Sequence, residues 1–162
     1  MRVGVTGHQD REGADWAWTG EAIRRALSHL PSPIEGWSSL AVGADQLFAR
    51  TVLELGGTIV TVVPGAWYDG CFEGDGLRAY HELLARGTYR TLEGLHGEDA
   101  FLQAGLKVAG ESEMLIAVWD GEPARGKGGT ADVVAHAVRT GKRVLRIDPV
   151  ARRVEKIGPG AG

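Results

Sequence analysis

A glycine-rich stretch in the C-terminal third has the residue types of a phosphate-binding turn. The apolar run 115–118 is followed by Asp120, and Gly128, Gly129 and Thr130 stand directly before a helical pattern. Free N–H groups and a partial positive charge let a helix N-terminus bind phosphate without a dedicated side chain. The alternative is a plain helix cap in which Thr130 supplies the oxygen. Two adjacent glycines are more than a cap requires, so the stretch favours phosphate binding.

Two more pairs of candidate residues follow other apolar runs. Gly7 and His8 come after the first run, where His8 is either a plain surface histidine or a ligand for phosphate or sugar that can also carry a proton. Gly43 and Asp45 come after the second run. Asp45 can accept ribose hydroxyls, or it can cap a helix that begins at Gln46, and the pattern favours the cap. Gly43 is expected to shape the pocket.

Asp120 and His8 are the candidates for catalysis. Asp120 ends a run typical of a buried strand, although an Asp-Gly pair also forms turns. Trp67 and Trp119 can stack a base, but large aromatic side chains more often belong to the core. The chain has one cysteine, Cys71, and no spacing of His and Cys that is typical of a metal site. The sequence therefore predicts no metal and no internal disulfide.

Apolar runs alternate with helical periods along the chain. The pattern predicts helices over 16–30, 46–55, 77–86, 99–110 and 129–140, and strands over 2–6, 39–42, 58–63, 88–92, 114–119 and 143–147, with 150–157 as a candidate antiparallel edge strand. This alternation is typical of an α/β domain whose parallel sheet is covered by helices on both faces. Ligands of such sheets bind at the carboxyl ends of the strands. We expect one domain over 1–157 and a flexible tail over 158–162.

Composition and charge predict which classes of binding partner are excluded and where in the cell the protein is located. The net charge is −3 with no run of Lys and Arg, so we expect no nucleic-acid partner. No apolar run approaches the roughly 20 residues of a membrane helix, and no signal pattern opens the chain, which predicts no membrane partner and a cytoplasmic location. Five tryptophans and apolar helix faces favour a homodimer that pairs through helices 99–110 and 129–140.

Four segments together resemble the SLOG superfamily of Rossmann-like proteins. They are residues 3–8 (VGVTGH), 42–45 (VGAD), 116–121 (IAVWDG) and 128–133 (GGTADV). The superfamily includes the cytokinin-activating LOG phosphoribohydrolases, the molybdenum-cofactor carrier-like proteins and the YpsA-like proteins, which are the most similar branch. The resemblance implies a three-layer Rossmann-like domain with a parallel central sheet flanked by helices. It also implies a nucleotide-derived phosphorylated ligand, similar to AMP or ADP-ribose.

The hydrolases of this superfamily carry a glutamate three residues after the threonine of their Gly-Gly-x-Gly-Thr motif. The equivalent residue here is Val133. Valine cannot exchange a proton or stabilise an oxocarbenium ion. Asp132 is one residue earlier, about 100° around the helix, and would point elsewhere. The resemblance thus implies the fold and the phosphate-binding turn, without the carboxylate of the hydrolases.

Three functions remain open on the sequence. The favoured one is binding of a nucleotide or a nucleotide-derived phosphorylated ligand, as a sensor or carrier. The second is hydrolysis or transfer at the N-glycosidic bond of a nucleotide, which would need Asp120, Asp45 or Asp132 as its carboxylate. The third is a protein-interaction domain with a vestigial pocket.

Overall fold

Strands and helices alternate along the computed structural model, which describes residues 1–123 and 129–158. The strands are β1 (Arg2–Gly7), β2 (Glu35–Ser38), β3 (Thr58–Val63), β4 (Thr88–Thr91), β5 (Met114–Val118), β6 (Arg143–Asp148) and β7 (Arg153–Ile157). The helices are α1 (Trp16–Ser28), α2 (Ala44–Glu54), α3 (Gly74–Ala85), α4 (Gly97–Glu111) and α5 (Thr130–Arg139), and a 3₁₀ turn spans Tyr68–Cys71.

The seven strands form one sheet in the order β4-β3-β2-β1-β5-β6-β7. Neighbouring strands are parallel, except for the antiparallel pair of β6 and β7. The chain moves outward from β1 to β4 and then returns to place β5 on the other side of β1. The strand order therefore reverses between β1 and β5, which is where open α/β sheets bind ligands. The three-layer Rossmann-like prediction, including its antiparallel edge, is confirmed.

Helices bury apolar residues against both faces of the sheet. Ile23 of α1 and Phe48 of α2 pack in the core of one face, and Val108 of α4 and Val133 of α5 pack in the core of the other. Helices α4 and α5 also touch each other, because a Cβ at Gly105 would lie 2.6 Å from Val133 Cγ2. The two helices predicted to pair two copies thus pack together within one chain, and the homodimer stays a prediction.

The largest error in the element boundaries concerns β2. The strand was predicted over 39–42, but it ends at Ser38. The chain turns there because the Asp45 carboxylate accepts hydrogen bonds from Ser38 Oγ and the Ser39 N–H, both at 3.0 Å. Leu40 then adopts a left-handed φ of 58° and enters the core from a loop. Helix α2 begins at Ala44 without a side-chain cap, so the prediction that Asp45 caps this helix is wrong.

Residues 159–162 of the predicted tail lie outside the described residues, and the division into a domain and a tail stays a prediction. Within the described ranges, no helix is long and apolar enough to span a bilayer.

Candidate functional site

A cavity of about 340 Å³ opens at the carboxyl ends of the strands, beside the junction of β1 and β5. The predicted site residues that line it are Gly7, His8, Asp45, Asp120, Gly129 and Thr130. Gly43 is not among the lining residues but lies close to the backbone of His8 and Gln9, which line the cavity, and Gly128 falls outside the described residues. The strand order therefore places residues from the N-terminal and the C-terminal parts of the chain around one cavity.

Asp120 joins the ends of β1 and β5. Its Oδ1 lies 3.1 Å from His8 Nε2 and accepts the Glu122 N–H at 3.1 Å, while its Oδ2 accepts Arg11 Nε at 2.5 Å. Burial alone would raise the pKa of Asp120, but the hydrogen bonds from Arg11, the Glu122 N–H and His8 outweigh it and lower the pKa to about 2. Asp120 is therefore an anion at neutral pH. Its geometry suits orienting His8 and Arg11 better than donating a proton.

Arg11 is a site residue that the sequence reasoning missed. It follows β1 by four residues and reaches Asp120 across 109 positions of sequence. Nε makes that bond, and among the described residues the two terminal nitrogens of this cavity-lining side chain have no hydrogen-bond partner, so they can donate to an anion. The hydrogen bond to Asp120 raises the pKa of Arg11, which keeps the guanidinium charged.

Gly7 and Gly43 let three backbone segments approach closely. A Cβ at Gly7 would lie 2.5 Å from Ala44 Cβ and 2.8 Å from Val118 Cβ. Gly43 has a φ of 89°, and a Cβ there would lie 2.3 Å from the Gln9 carbonyl oxygen. The His8 N–H donates to the Val118 carbonyl and the His8 carbonyl accepts from the Ala44 N–H, both at 3.1 Å. The two glycines therefore fix the position of His8.

Asp45 is buried beneath the cavity and holds the loop between β2 and α2. Its carboxylate accepts the two hydrogen bonds from Ser38 and Ser39 described above. Burial raises the pKa of Asp45 to about 6, although those hydrogen bonds oppose the shift. Asp45 also lines the cavity, and its contact with a ribose hydroxyl stays a prediction.

The raised pKa of Asp45 predicts a measurable pH dependence of stability. A carboxyl whose folded pKa is raised stabilises the fold below its unfolded pKa, near 4, and this contribution is lost as the pH rises through about 6. We expect Asp45→Asn, which keeps an amide oxygen as acceptor, to match the wild type at pH 4. At pH 7 it should be more stable by about 3 kcal/mol, since the shift is roughly two units. Urea unfolding at both pH values tests this, and an equal difference at the two would contradict it.

The N-terminus of α5 faces the same cavity. Gly129 precedes the helix with φ −67° and ψ 165°, and Thr130 is the first helical residue. Among the described residues, no side chain caps this helix, so the alternative in which Thr130 supplies the capping oxygen is wrong. Val133, where the hydrolases have glutamate, is 1% exposed and packs in the core against α4. The Asp132 N–H donates to the Gly129 carbonyl at 3.1 Å. Within the described part of the chain, the Thr130 and Ala131 N–H groups have no acceptor and can donate to an anion.

Aromatic side chains form another part of the cavity lining. Tyr68 and Phe72 come from the 3₁₀ turn after β3 and its end, and Phe101 comes from α4. Of the two tryptophans predicted to stack a base, Trp119 lines the cavity, whereas Trp67 packs edge-on against Phe101. Sequence reasoning missed Phe72 and Phe101, because neither follows a strand directly.

Among the described residues, no group of three or more His, Cys, Asp or Glu side chains has the arrangement of a metal site. Three polar side chains of the cavity, Asp120, Arg11 and His8, instead form a hydrogen-bonded cluster, and the carboxyl groups of Asp10, Asp45 and Glu122 also belong to the lining. Such a cluster suits recognition of an anionic organic ligand.

Comparisons with known proteins give structural neighbours only. No protein-family model matches the sequence, and no curated protein is similar to it. DNA processing protein A (DprA) from Streptococcus pneumoniae is similar with a TM-score of 0.66 and 16% identity, over 91% of this chain and 50% of that chain. DprA from Helicobacter pylori gives 0.66 and 14%, over 91% and 65%. The structural-genomics protein TM1055 gives 0.56 and 18%, over 88% and 71%.

These neighbours correct one expectation. The structure of the Helicobacter pylori protein is described as showing a single-stranded DNA binding mode, so this fold serves in a DNA-binding protein. The exclusion of nucleic acid from the net charge was therefore wrong, because a net charge does not describe the local charge at one edge of a sheet. The chain spans half of one DprA structure and 65% of the other. At these identities the similarity establishes a shared Rossmann-like α/β fold.

Proposed function

We propose that this chain binds a nucleotide or a nucleotide-derived phosphorylated ligand in the cavity at the carboxyl edge of its sheet. The observation that carries the proposal is the convergence of Arg11, His8 and the uncapped start of α5 on one cavity at the strand-order reversal. Arg11 supplies charged N–H donors and the start of α5 supplies backbone N–H donors, as a phosphate requires, while His8 Nε2 bonds to Asp120. The motifs shared with the SLOG superfamily support the same class of ligand.

Each residue of the site would have its own role in binding the ligand. The N–H groups of Thr130 and Ala131 at the start of α5 would bind phosphate oxygens, helped by the helix dipole. Arg11 would add a charged donor, and Asp120 would hold Arg11 and His8 in place before the ligand arrives. Because both donors are already oriented, little conformational entropy is lost on binding.

Ligand-induced stabilisation tests this proposal directly. A saturating phosphorylated ligand at 100 times its Kd should stabilise the fold by about 2.7 kcal/mol. For a domain of this size that is a rise in Tm of roughly 5–10 °C. We expect AMP or ADP-ribose to produce such a shift in differential scanning fluorimetry, and adenosine, which lacks phosphate, to produce much less. Equal shifts for nucleoside and nucleotide would argue against a phosphate site.

Single-stranded DNA is the second candidate ligand, because two structural neighbours are DNA processing proteins. Fluorescence anisotropy with a labelled oligonucleotide distinguishes a single-stranded DNA site from a mononucleotide site. A DNA site gives an affinity that falls steeply as salt increases and that rises with oligonucleotide length, because several phosphates are contacted. A mononucleotide site gives competition by AMP with no dependence on length.

The glycosidic-bond hydrolase receives less support than binding. Asp120 is held as an anion by Arg11 and His8, and Val133 is buried in the core where a hydrolase has its carboxylate. Asp45 is buried and already bonded to the loop before α2. The binding function requires none of these groups to react.

A further inference from the structure

The cavity has two chemically different sides. On the side of β1 and β5, the lining includes Arg11 and the start of α5, together with the carboxyl groups of Asp10, Asp120 and Glu122. On the side of β3, it includes the aromatic rings of Tyr68 and Phe72. Strands β3 and β5 are three positions apart in the sheet, which is roughly 14 Å at the usual strand spacing. A ligand that spans the cavity therefore meets the Arg11 guanidinium and the start of α5 at one end and aromatic rings at the other.

The aromatic rings on this side of the cavity are fixed by contacts with one another and with the core. The rings of Tyr68 and Phe72 meet edge-on with centroids 4.9 Å apart, and Phe72 stacks on Tyr80 at 4.5 Å. Tyr68 is 5% exposed, so its ring is fixed by the core. Rings that are already in place lose little freedom when a ligand stacks on them.

Phe101 is the partly exposed aromatic ring next to Tyr68 in the cavity lining. It is 37% exposed and lines the cavity from α4. Its contacts with Trp67 and Tyr68 have interplanar angles of 69° and 61°, so neither of these rings is stacked on it. A partly exposed aromatic side chain in a cavity lining is suited to stack with another flat ring.

We propose that Phe101, together with Tyr68 and Phe72, forms a binding subsite for the nucleobase of a mononucleotide. The inference rests on the proposed function, because the phosphate of the same ligand would sit at the start of α5. A nucleotide carries its base and its phosphate at opposite ends of a sugar, which matches the two sides of the cavity. The volume of about 340 Å³ is at the lower end of the roughly 300–1,000 Å³ typical of small-molecule sites, and this favours a mononucleotide over a dinucleotide.

Paired titrations of one variant with two ligands test the subsite. Isothermal titration calorimetry would measure AMP and ribose 5-phosphate, which lacks the base, on the wild type and on Phe101→Ala. We expect the variant to lose about tenfold in affinity for AMP, because stacking on an aromatic ring is lost. Its affinity for ribose 5-phosphate should stay within about twofold of the wild type. Phe101→Tyr, which keeps the ring, should restore AMP binding.

Two further variants separate the effect of the Phe101 ring from other causes. Tyr89→Ala removes an aromatic ring that is 61% exposed on β4, away from the cavity lining, and should leave AMP affinity unchanged. Phe101→Leu preserves apolar volume on α4, so a loss of AMP affinity in that variant too assigns the effect to the ring. Equal losses for both ligands, or a wild type that binds AMP no better than ribose 5-phosphate, would overturn the base subsite while leaving the phosphate site standing. A wild type that binds neither ligand overturns both proposals.

Discussion

Gly129→Val is expected to abolish nucleotide binding while leaving the fold intact. Gly129 has φ −67° and ψ 165°, which valine adopts without strain, so the backbone can keep its course into α5. Replacing glycine by a branched residue before a helix costs at most about 1 kcal/mol. A branched side chain beside the first-turn N–H groups, however, would occupy space that the phosphate needs. We expect AMP affinity, measured by calorimetry, to fall at least about 100-fold.

A matched substitution separates this effect from a general loss of stability. Gly110 lies near the end of α4, and a Cβ there would meet nothing within 4 Å. Gly110→Val should therefore bind AMP as the wild type does, with a circular-dichroism melt showing that both variants are folded. A folded Gly129→Val that binds AMP normally would show that the turn before α5 is only the start of a helix.

The fold could be predicted where local pattern and tertiary context agree. Strand β3 was predicted correctly over Thr58–Val63, because a continuous β-branched run is typical of a strand buried on both faces. Strand β2 was misplaced because Glu35–Ser38 contains no such pattern. Its Gly36 instead suits close packing against α2, since a Cβ there would lie 3.0 Å from Phe48 Cε1 and Val52 Cγ2. A close contact of this kind with α2 cannot be read from a window of sequence.

The site was predictable at the strand ends and not beyond them. His8, Asp120 and Thr130 were found because glycine-containing turns after apolar runs mark the ligand edge of an α/β sheet. Arg11 and Phe101 come from the middle of a loop and from a helix, where neither periodicity nor a motif distinguishes them. Only the tertiary fold, which places Arg11 Nε 2.5 Å from Asp120, shows that they belong to the same cavity.

Asp120→Asn is expected to weaken both the fold and the site. The Asp120 side chain is 7% exposed, and its two oxygens accept from Arg11, the Glu122 N–H and His8. An asparagine amide has one accepting oxygen, so at least one of these donors would face an NH₂ group. At neutral pH we expect a loss of about 2 kcal/mol in the free energy of unfolding, which corresponds to the lowering of the Asp120 pKa from 3.8 to about 2. AMP affinity should fall about tenfold or more, because Arg11 and His8 lose their anchor.

The pH dependence of this variant distinguishes the charge of Asp120 from its shape. A carboxyl whose folded pKa is lowered stabilises the fold above its unfolded pKa, near 4, and that contribution disappears as the pH falls toward 2. The difference between wild type and Asp120→Asn in urea unfolding should thus be largest at pH 7 and should narrow below pH 4. Asp69→Asn removes the same charge at an exposed position and should change the free energy of unfolding by no more than about 0.5 kcal/mol.

A double-mutant cycle of Asp120→Asn and Arg11→Gln tests whether the two side chains act as a pair. The effects of the two substitutions on the free energy of unfolding should be clearly non-additive, because the side chains form one ion pair. Additive effects, or a difference that is constant from pH 7 to pH 3, would mean that Asp120 acts by shape alone and does not position Arg11 for an anionic ligand.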